Sequence, residues 1–329
     1  TEKVQWTSSN TDVATVNDTG LVTAKATGTA TITVKNSDGK KSATCVVNVM
    51  DGYLVGYGST DTSAYGHLAK IDGNGNILWK KERIFSYSIN AITQMSDGNY
   101  LVGYGSTDTS AYGHLAKIDK NGNILWKKER IFSYSINEIT QMSDGNYLVG
   151  YGSTDTSAYG HLAKIDESGN ILWKKEKIFS YSINAITQMS DGNYLVGYGS
   201  TDTSAYGHLA KIDESGNILW KKEKLFSYSI NEITQMSDGN YLVGYGSTDT
   251  SAYGHLAKID ENGNILWKKE KLFSYSINAI TQMSDGNYLV GYGSTDTSAY
   301  GHLAKIDGNG NILWKKEKLF SYSINEITY

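Results

Sequence analysis

Tyr53-Leu54-Val55-Gly56-Tyr57-Gly58-Ser59-Thr60-Asp61-Thr62-Ser63-Ala64-Tyr65-Gly66-His67 is written six times in this chain, starting again at Tyr100, Tyr147, Tyr194, Tyr241 and Tyr288. The interval is 47 residues, and Trp79, Trp126, Trp173, Trp220, Trp267 and Trp314 keep the same step. The 329 residues are six copies of a 47-residue unit plus a remainder of 47. Composition follows from this copying: 6 His and 6 Phe are one per unit, and 25 Tyr are four per unit plus one. Several classes fall away at once. No stretch approaches the roughly 18 consecutive apolar residues of a membrane span. No Lys/Arg-led apolar segment opens the chain, so no signal peptide is expected here. A single Cys makes no internal disulfide, and no Cys/His cluster has zinc spacing. A net charge of −4 gives no basic footprint for nucleic acid. At 39% hydrophobic and 19% charged residues, the chain is globular.

Within one unit the pattern is β. Ile89–Met95 is a short apolar run, and Ser96-Asp97-Gly98-Asn99 is a turn signal. Tyr100–Ser106 is rich in aromatic and β-branched residues, and His114–Asp119 alternates. Asp119-Lys120-Asn121-Gly122-Asn123 is a second turn, and Asn123–Arg130 forms the last strand. Four strands per unit, polar Gly/Asn/Asp turns and a period near 47 predict an all-β chain with a six-bladed β-propeller of four-stranded antiparallel blades. The first unit starts at its second strand, near Tyr53, while the chain ends on an extra first strand, Phe320–Tyr329. The C-terminal strand is therefore expected to complete blade 1 and remove both sheet edges. One position alternates around the ring: Ala91, Glu138, Ala185, Glu232, Ala279, Glu326. That implies expansion by blade pairs and pseudo-threefold symmetry.

Residues 1–50 do not fit the repeat. Val4–Asn10, Val13–Ala24, Gly28–Val34 and Ser42–Val49 read as alternating strands. Trp6-Thr7-Ser8-Ser9-Asn10, Val13-Ala14-Thr15-Val16, the run from Gly20 to Val34 and the closing Ser42–Val49 resemble the group 2 bacterial immunoglobulin-like domain. The first two strands expected of such a domain are missing, which leaves a small, truncated β-sandwich with a poor core of its own. Cys45, on an alternating strand, is expected to be a small buried hydrophobe. The domains are thus residues 1–50 and 51–329. The repeats also resemble bacterial secreted propellers marked by D-x-x-G-N-x-x-W and S-D-G-G-Y, through Lys-Ile-Asp-x-x-Gly-Asn-Ile-Leu-Trp and Ser-Asp-Gly-Asn-Tyr-Leu-Val. Both resemblances imply an extracellular or cell-surface location.

In an antiparallel blade, the loop after the second strand and the link after the fourth share one face. That face collects six candidate ligand sites. The carboxylates are Asp61, Asp108, Asp155, Asp202, Asp249 and Asp296. The first aromatic set is Tyr65, Tyr112, Tyr159, Tyr206, Tyr253 and Tyr300. The second is Phe85, Phe132, Phe179, Phe226, Phe273 and Phe320, and the third Tyr87, Tyr134, Tyr181, Tyr228, Tyr275 and Tyr322. Aromatic faces stack on sugar rings and carboxylates accept sugar hydroxyls, so a shallow glycan site multiplied for avidity is expected. The structural alternative packs these rings between blades. Glu138, Glu232 and Glu326 belong to the innermost strand, where three carboxylates around a central channel suit a cation or water cluster; exposed glutamates at the channel mouth are the plainer expectation.

His67 and its equivalents are expected to be satisfied, partly buried residues; six spread histidines do not converge on a metal. Asp61, Ser63 and His67 lack a G-x-S-x-G elbow and the spacing of a supported triad. Asp72-Gly73-Asn74-Gly75-Asn76 starts like a calcium loop but carries Arg83 where the twelfth-position acid belongs, so it is a hairpin turn. Gly56-Tyr57-Gly58 has no following Gly-Lys-Ser/Thr. Near-identical blades also argue against an enzyme, because catalysis usually needs one asymmetric set of groups. The expectation is a noncatalytic binding or adhesion module with a glycan or cell-surface protein as partner, and the alternative a purely structural spacer. No cofactor or metal is expected. A monomer is expected, with domain swapping a hazard of identical repeats.

Overall fold

The computed structural model describes residues 4–25, 28–49, 52–58, 65–105, 112–152, 159–199, 206–246, 253–293 and 300–329. It divides into two compact units, Thr1–Gly52 with Asp72–Asn76, and Tyr53–Ile71 with Ile77–Tyr329. No helix occurs among the described residues.

The first unit is a five-strand arrangement: β1 Val4–Ser8, β2 Ala14–Val16, β3 Val22–Ala24, β4 Gly28–Asn36 and β5 Ser42–Val49. Strands β1, β4 and β5 form one sheet and the β2–β3 hairpin another. The stretch read as one strand over Val13–Ala24 is this hairpin, turned at Asn17, whose Oδ1 accepts the backbone N–H of Thr19 and Leu21. Its core is small, with Val13, Ala14 and Ala30 buried and Val47 and Val49 packed against them. Cys45 is exposed, contrary to expectation. It pairs with buried Ile32 on the same side of the sheet, but a two-stranded sheet is too narrow to cover both.

β6 Gly52–Gly58, β7 Gly66–Asp72 and β8 Ile77–Phe85, which belong to the second unit except for the end residues Gly52 and Asp72, precede the first whole repeat. That repeat is β9 Ile89–Gln94, β10 Tyr100–Gly105, β11 Gly113–Ile118 and β12 Ile124–Phe132. Its turns form for local reasons. Gly98 and Gly122 take φ of 80° and 72°, which costs a side-chain-free residue little. Asp119 Oδ1 accepts the N–H of Asn121 and Asn123 at 2.9 and 2.8 Å, and Asn123 Nδ2 donates to Oδ2. Asp72 of the calcium-like loop makes the same three bonds, so its carboxylate braces its own hairpin.

The same four-stranded antiparallel sheet recurs from β13 (Ile136–Gln141) to β28 (Ile312–Phe320). The chain ends on β29, Ile324–Thr328, which pairs antiparallel with β6, so the last strand supplies the inner strand of the first sheet. The outer strand runs two residues past its expected end at Arg130, and Phe132 pairs with Gly113.

Apolar residues pack between sheets rather than within one. Six buried clusters each draw on two sheets; one joins Val55 and Ile71 of the first sheet to Leu289 and Phe320 of the last. Each fully buried Leu, Val or Ile is worth about 1.5–3 kcal/mol over its exposed state. The sheets approach so closely that a Cβ on Gly103 would lie 2.5 Å from Ile136 Cγ2 of the next one.

Three register shifts recur in every sheet, and two of them position the residues of the candidate site. On the inner strand, Gly103 faces Ala91 and Tyr104 faces Ile89, which leaves Asn90 as the extra residue. On the outer strand, Gly113 faces Phe132 and Leu115 faces Lys128, so His114 stands opposite Glu129, Arg130 and Ile131. Bulges re-aim side chains out of the ladder.

Candidate functional site

The loop-end face is built from the second bulge. Arg83, Arg130, Lys177, Lys224, Lys271 and Lys318 are the described non-glycine residues with positive φ, at 53–56°. A left-handed L-residue costs roughly 1–2 kcal/mol and needs a tether. The tether is the imidazole opposite: Arg83 N–H donates to Nδ1 of His67 at 3.2 Å, and the other five pairs repeat this at 3.2–3.3 Å. An accepting Nδ1 places the neutral ring's proton on Nε2. His114 is stacked between Tyr104 of its own sheet at 4.9 Å and Tyr87 of the preceding one at 5.2 Å. Burial pushes all six histidines below the ordinary 6.5, against the opposing pull of the neighbouring glutamate.

The bulge turns its cation outward over a tyrosine. The Arg83 guanidinium lies 5.1 Å from the Tyr65 ring centroid, and Lys177 5.0 Å from that of Tyr159. The rings of Tyr65, Tyr112, Tyr159, Tyr206, Tyr253 and Tyr300 remain 42–44% exposed. Tyr87 and its equivalents are partly exposed, with one face given to the next histidine. Phe85 and its five equivalents are corrected: each is 1% exposed and stacks inside the inter-sheet core, as Phe85 does on Tyr104 at 4.6 Å. No ligand reaches them. Asp61, Asp108, Asp155, Asp202, Asp249 and Asp296 lie outside the described residues. The phenol of Tyr57 is fully buried, makes no hydrogen bond and is pushed up to about 12 by burial and by Glu82.

The first bulge builds the inner end. Asn90 Nδ2 donates to Ser135 Oγ at 2.9 Å and to the Ile136 carbonyl at 3.0 Å on the next sheet. Asn137, Asn184, Asn231 and Asn278 repeat the step, and Asn325 donates to Ser88 and Ile89 of the β9 strand region. These six asparagines and Glu138, Glu232 and Glu326 line a cavity of about 160 Å³. The glutamates are not exposed at a mouth. Glu326 is 9% exposed, and the three carboxylates bring oxygens within 4.8 Å of one another. The small side chains of Ala91, Ala185 and Ala279 are fully buried at the alternate positions.

Removal from water and mutual repulsion push Glu138 and Glu326 well above the usual carboxylate range, and burial takes Glu232 to about 8. Among the described residues, this is the one group whose oxygens converge as a metal ion requires. A hard cation such as Ca²⁺ takes six to eight oxygens at about 2.3–2.6 Å. Three carboxylates and the surrounding amide oxygens are the groups here that could supply them, and protons relieve the same repulsion.

Repeated four-stranded antiparallel sheets packed face to face define a propeller-like fold, and β-propellers are among the solved structures that match. Residues 1–47 match the family model of the bacterial Ig-like domain, group 2. No curated protein matches the chain in sequence. A protein of unknown function from Bacteroides caccae is similar over 85% of this chain and 98% of its own, with a TM-score of 0.62 and 19% identity. Virginiamycin B lyase from Staphylococcus aureus is similar over 95% and 88%, with a TM-score of 0.51 and 14% identity. The periplasmic gluconolactonase of Pseudomonas aeruginosa is similar over 82% and 83%, with a TM-score of 0.55 and 12% identity. At such identities these likenesses concern the fold alone. They do correct the expectation that this architecture argues against an enzyme: two of the three are enzymes. Blade repetition is no bar to catalysis, because a propeller can carry its chemistry on a few loops.

Proposed function

We propose that residues 51–329 are a closed six-bladed β-propeller and that, with the Ig-like residues 1–50, they form an extracellular binding module of a bacterium. Closure is supported by three observations: β29 completing the first sheet, the buried cluster joining first and last sheets, and the asparagine relay that returns from Asn325 to Ser88 and Ile89. The location rests on the match of residues 1–47 to a bacterial Ig-like family.

The ligand face is the one with the bulged cations, and the ligand class is glycan. One observation carries this reading: six chemically equivalent tyrosines stand 42–44% exposed on one end, each with a cation beside it. An exposed tyrosine offers an apolar face to a sugar ring and a hydroxyl to its edge. A guanidinium or ammonium adds donors for sugar oxygens. Single sites of this kind are weak, and six on one ring gain about 10²–10⁴ when a polymer spans them.

The test is calorimetric titration with oligosaccharides of increasing length. Affinity is expected to climb with length in the parent protein and to vanish when Tyr65, Tyr112, Tyr159, Tyr206, Tyr253 and Tyr300 are all changed to Ala. Equal binding by parent and sixfold variant, or no binding to any glycan, overturns the reading.

A further inference from the structure

We infer that the six histidines are positioning residues which make the loop-end sites acid-sensitive, each one holding its bulged cation over the exposed tyrosine only while Nδ1 is unprotonated. The inference rests on the preceding reading for what the face binds, but the latch itself is a property of the fold.

The chain of contacts is short. His67 Nδ1 accepts Arg83 N–H, the left-handed Arg83 projects its guanidinium, and the guanidinium lies over Tyr65. Nothing in the ladder replaces the first link, because Glu82, Arg83 and Ile84 stand opposite a single residue in the bulge. A protonated imidazole has donors at both nitrogens and no acceptor. The Arg83 N–H then loses its partner, and a cation sits beside a cation. The strained backbone has lost its tether, so it relaxes toward ordinary strand geometry and takes the side chain off the tyrosine.

The groups facing His67 decide where this happens. Glu82 on the outer strand favours the proton and Arg83 on the same strand opposes it. Tyr57 from the second strand and Tyr322 from the neighbouring sheet close the two ring faces as neutral phenols. For His114 the same strand brings Glu129, Arg130 and Lys127. Burial outweighs the glutamate in all six copies, so the latch opens on the acid side of 6.5. Arg83, Arg130 and the four lysines meet the same geometry, which explains why this position accepts either cation.

Hydrogen exchange and photo-CIDNP NMR of the whole chain test the latch without any sugar. Between pH 7.5 and 4.5, the amides of Arg83, Arg130, Lys177, Lys224, Lys271 and Lys318 are expected to lose protection at least tenfold, beyond the intrinsic pH dependence of exchange, in step with histidine titration. The Tyr65-type rings should gain flavin-induced polarisation over the same interval, while amides in the middle of the sheet, such as that of Val102 on β10, hold. The six-site His→Asn variant keeps an acceptor at the Nδ1 position and cannot titrate, so its profile should be flat. Unchanged protection of the six amides through the histidine transition, or the same acid response in the His→Asn variant, overturns the inference. A failure of glycan binding would leave these readouts untouched, and the two ideas fail separately.

Discussion

Above about pH 4.5 and up to the alkaline range, two kinds of residue set the pH behaviour, and their signs oppose. Glu138, Glu232 and Glu326 hold protons in the folded state that the unfolded chain releases near 4.5. The folded form binds more protons between about 4.5 and 8, so stability falls as pH rises through that window, by up to ~1.4 kcal/mol per pH unit for each protonated group. The histidines have folded values below 6.5, so their contribution is whole above 6.5 and is lost as pH falls. The expected outcome is a stability maximum near the point where the two slopes cross, on the mildly acid side of neutral. Changing all three glutamates to Gln keeps the shape and the hydrogen-bonding oxygens and removes the charge. The variant should unfold at higher urea than the parent at pH 8.5 and show no advantage at pH 4.5. A parent curve that is flat between pH 6 and 9 would mean the carboxyls do not share a dry site.

At the scale of elements, the inner strands depend on asparagines that belong to no ladder. Asn90 is extra in its strand, and its amide is paired only across to the next sheet. Replacing one such asparagine by Ala leaves a buried serine and carbonyl without a donor, at roughly 1–3 kcal/mol. Asn325→Ala should cost as much as Asn184→Ala in urea unfolding, because both bridge neighbouring sheets by the same two bonds. A much smaller cost at Asn325 would speak against closure. What could be read in the sequence follows the same division. Strands, turns, the swapped strand β29 and the Ala/Glu alternation were legible, because alternation, Gly-Asn turns and the unit phase are periodic signals. The bulges were not, because one or two extra residues shift register without changing composition. Asn90 and Arg83, which aim at the inner cavity and the outer face, were therefore missed, while Phe85, which looks like a loop aromatic, proved to be core. The best available clue was that position 83 varies between copies only as Arg or Lys.

For the whole molecule, the copies that make the fold readable also make its parts interchangeable. Each unit begins on a second strand and hands its inner strand forward, as the β29–β6 pairing does across the ends of the chain. A fragment of two units, residues 100–193, carries Glu138 and Ala185 and lends one strand to its neighbour. A fragment of three units, residues 100–240, carries Glu138, Ala185 and Glu232. Three of the former restore the native order around the proposed ring. Two of the latter place four carboxyls at the axis, in two side-by-side pairs. Native mass spectrometry should find the two-unit fragment as a stable trimer, and the three-unit fragment as a weaker dimer whose deficit grows with pH. Equal stability of both assemblies would remove any role for the alternation. The feature behind this expectation is a single position per unit, Ala91 against Glu138, and it acts as a parity rule. An alternating necklace can close only on an even count of beads, so a ring that gains or loses one unit carries a fault that its own centre detects.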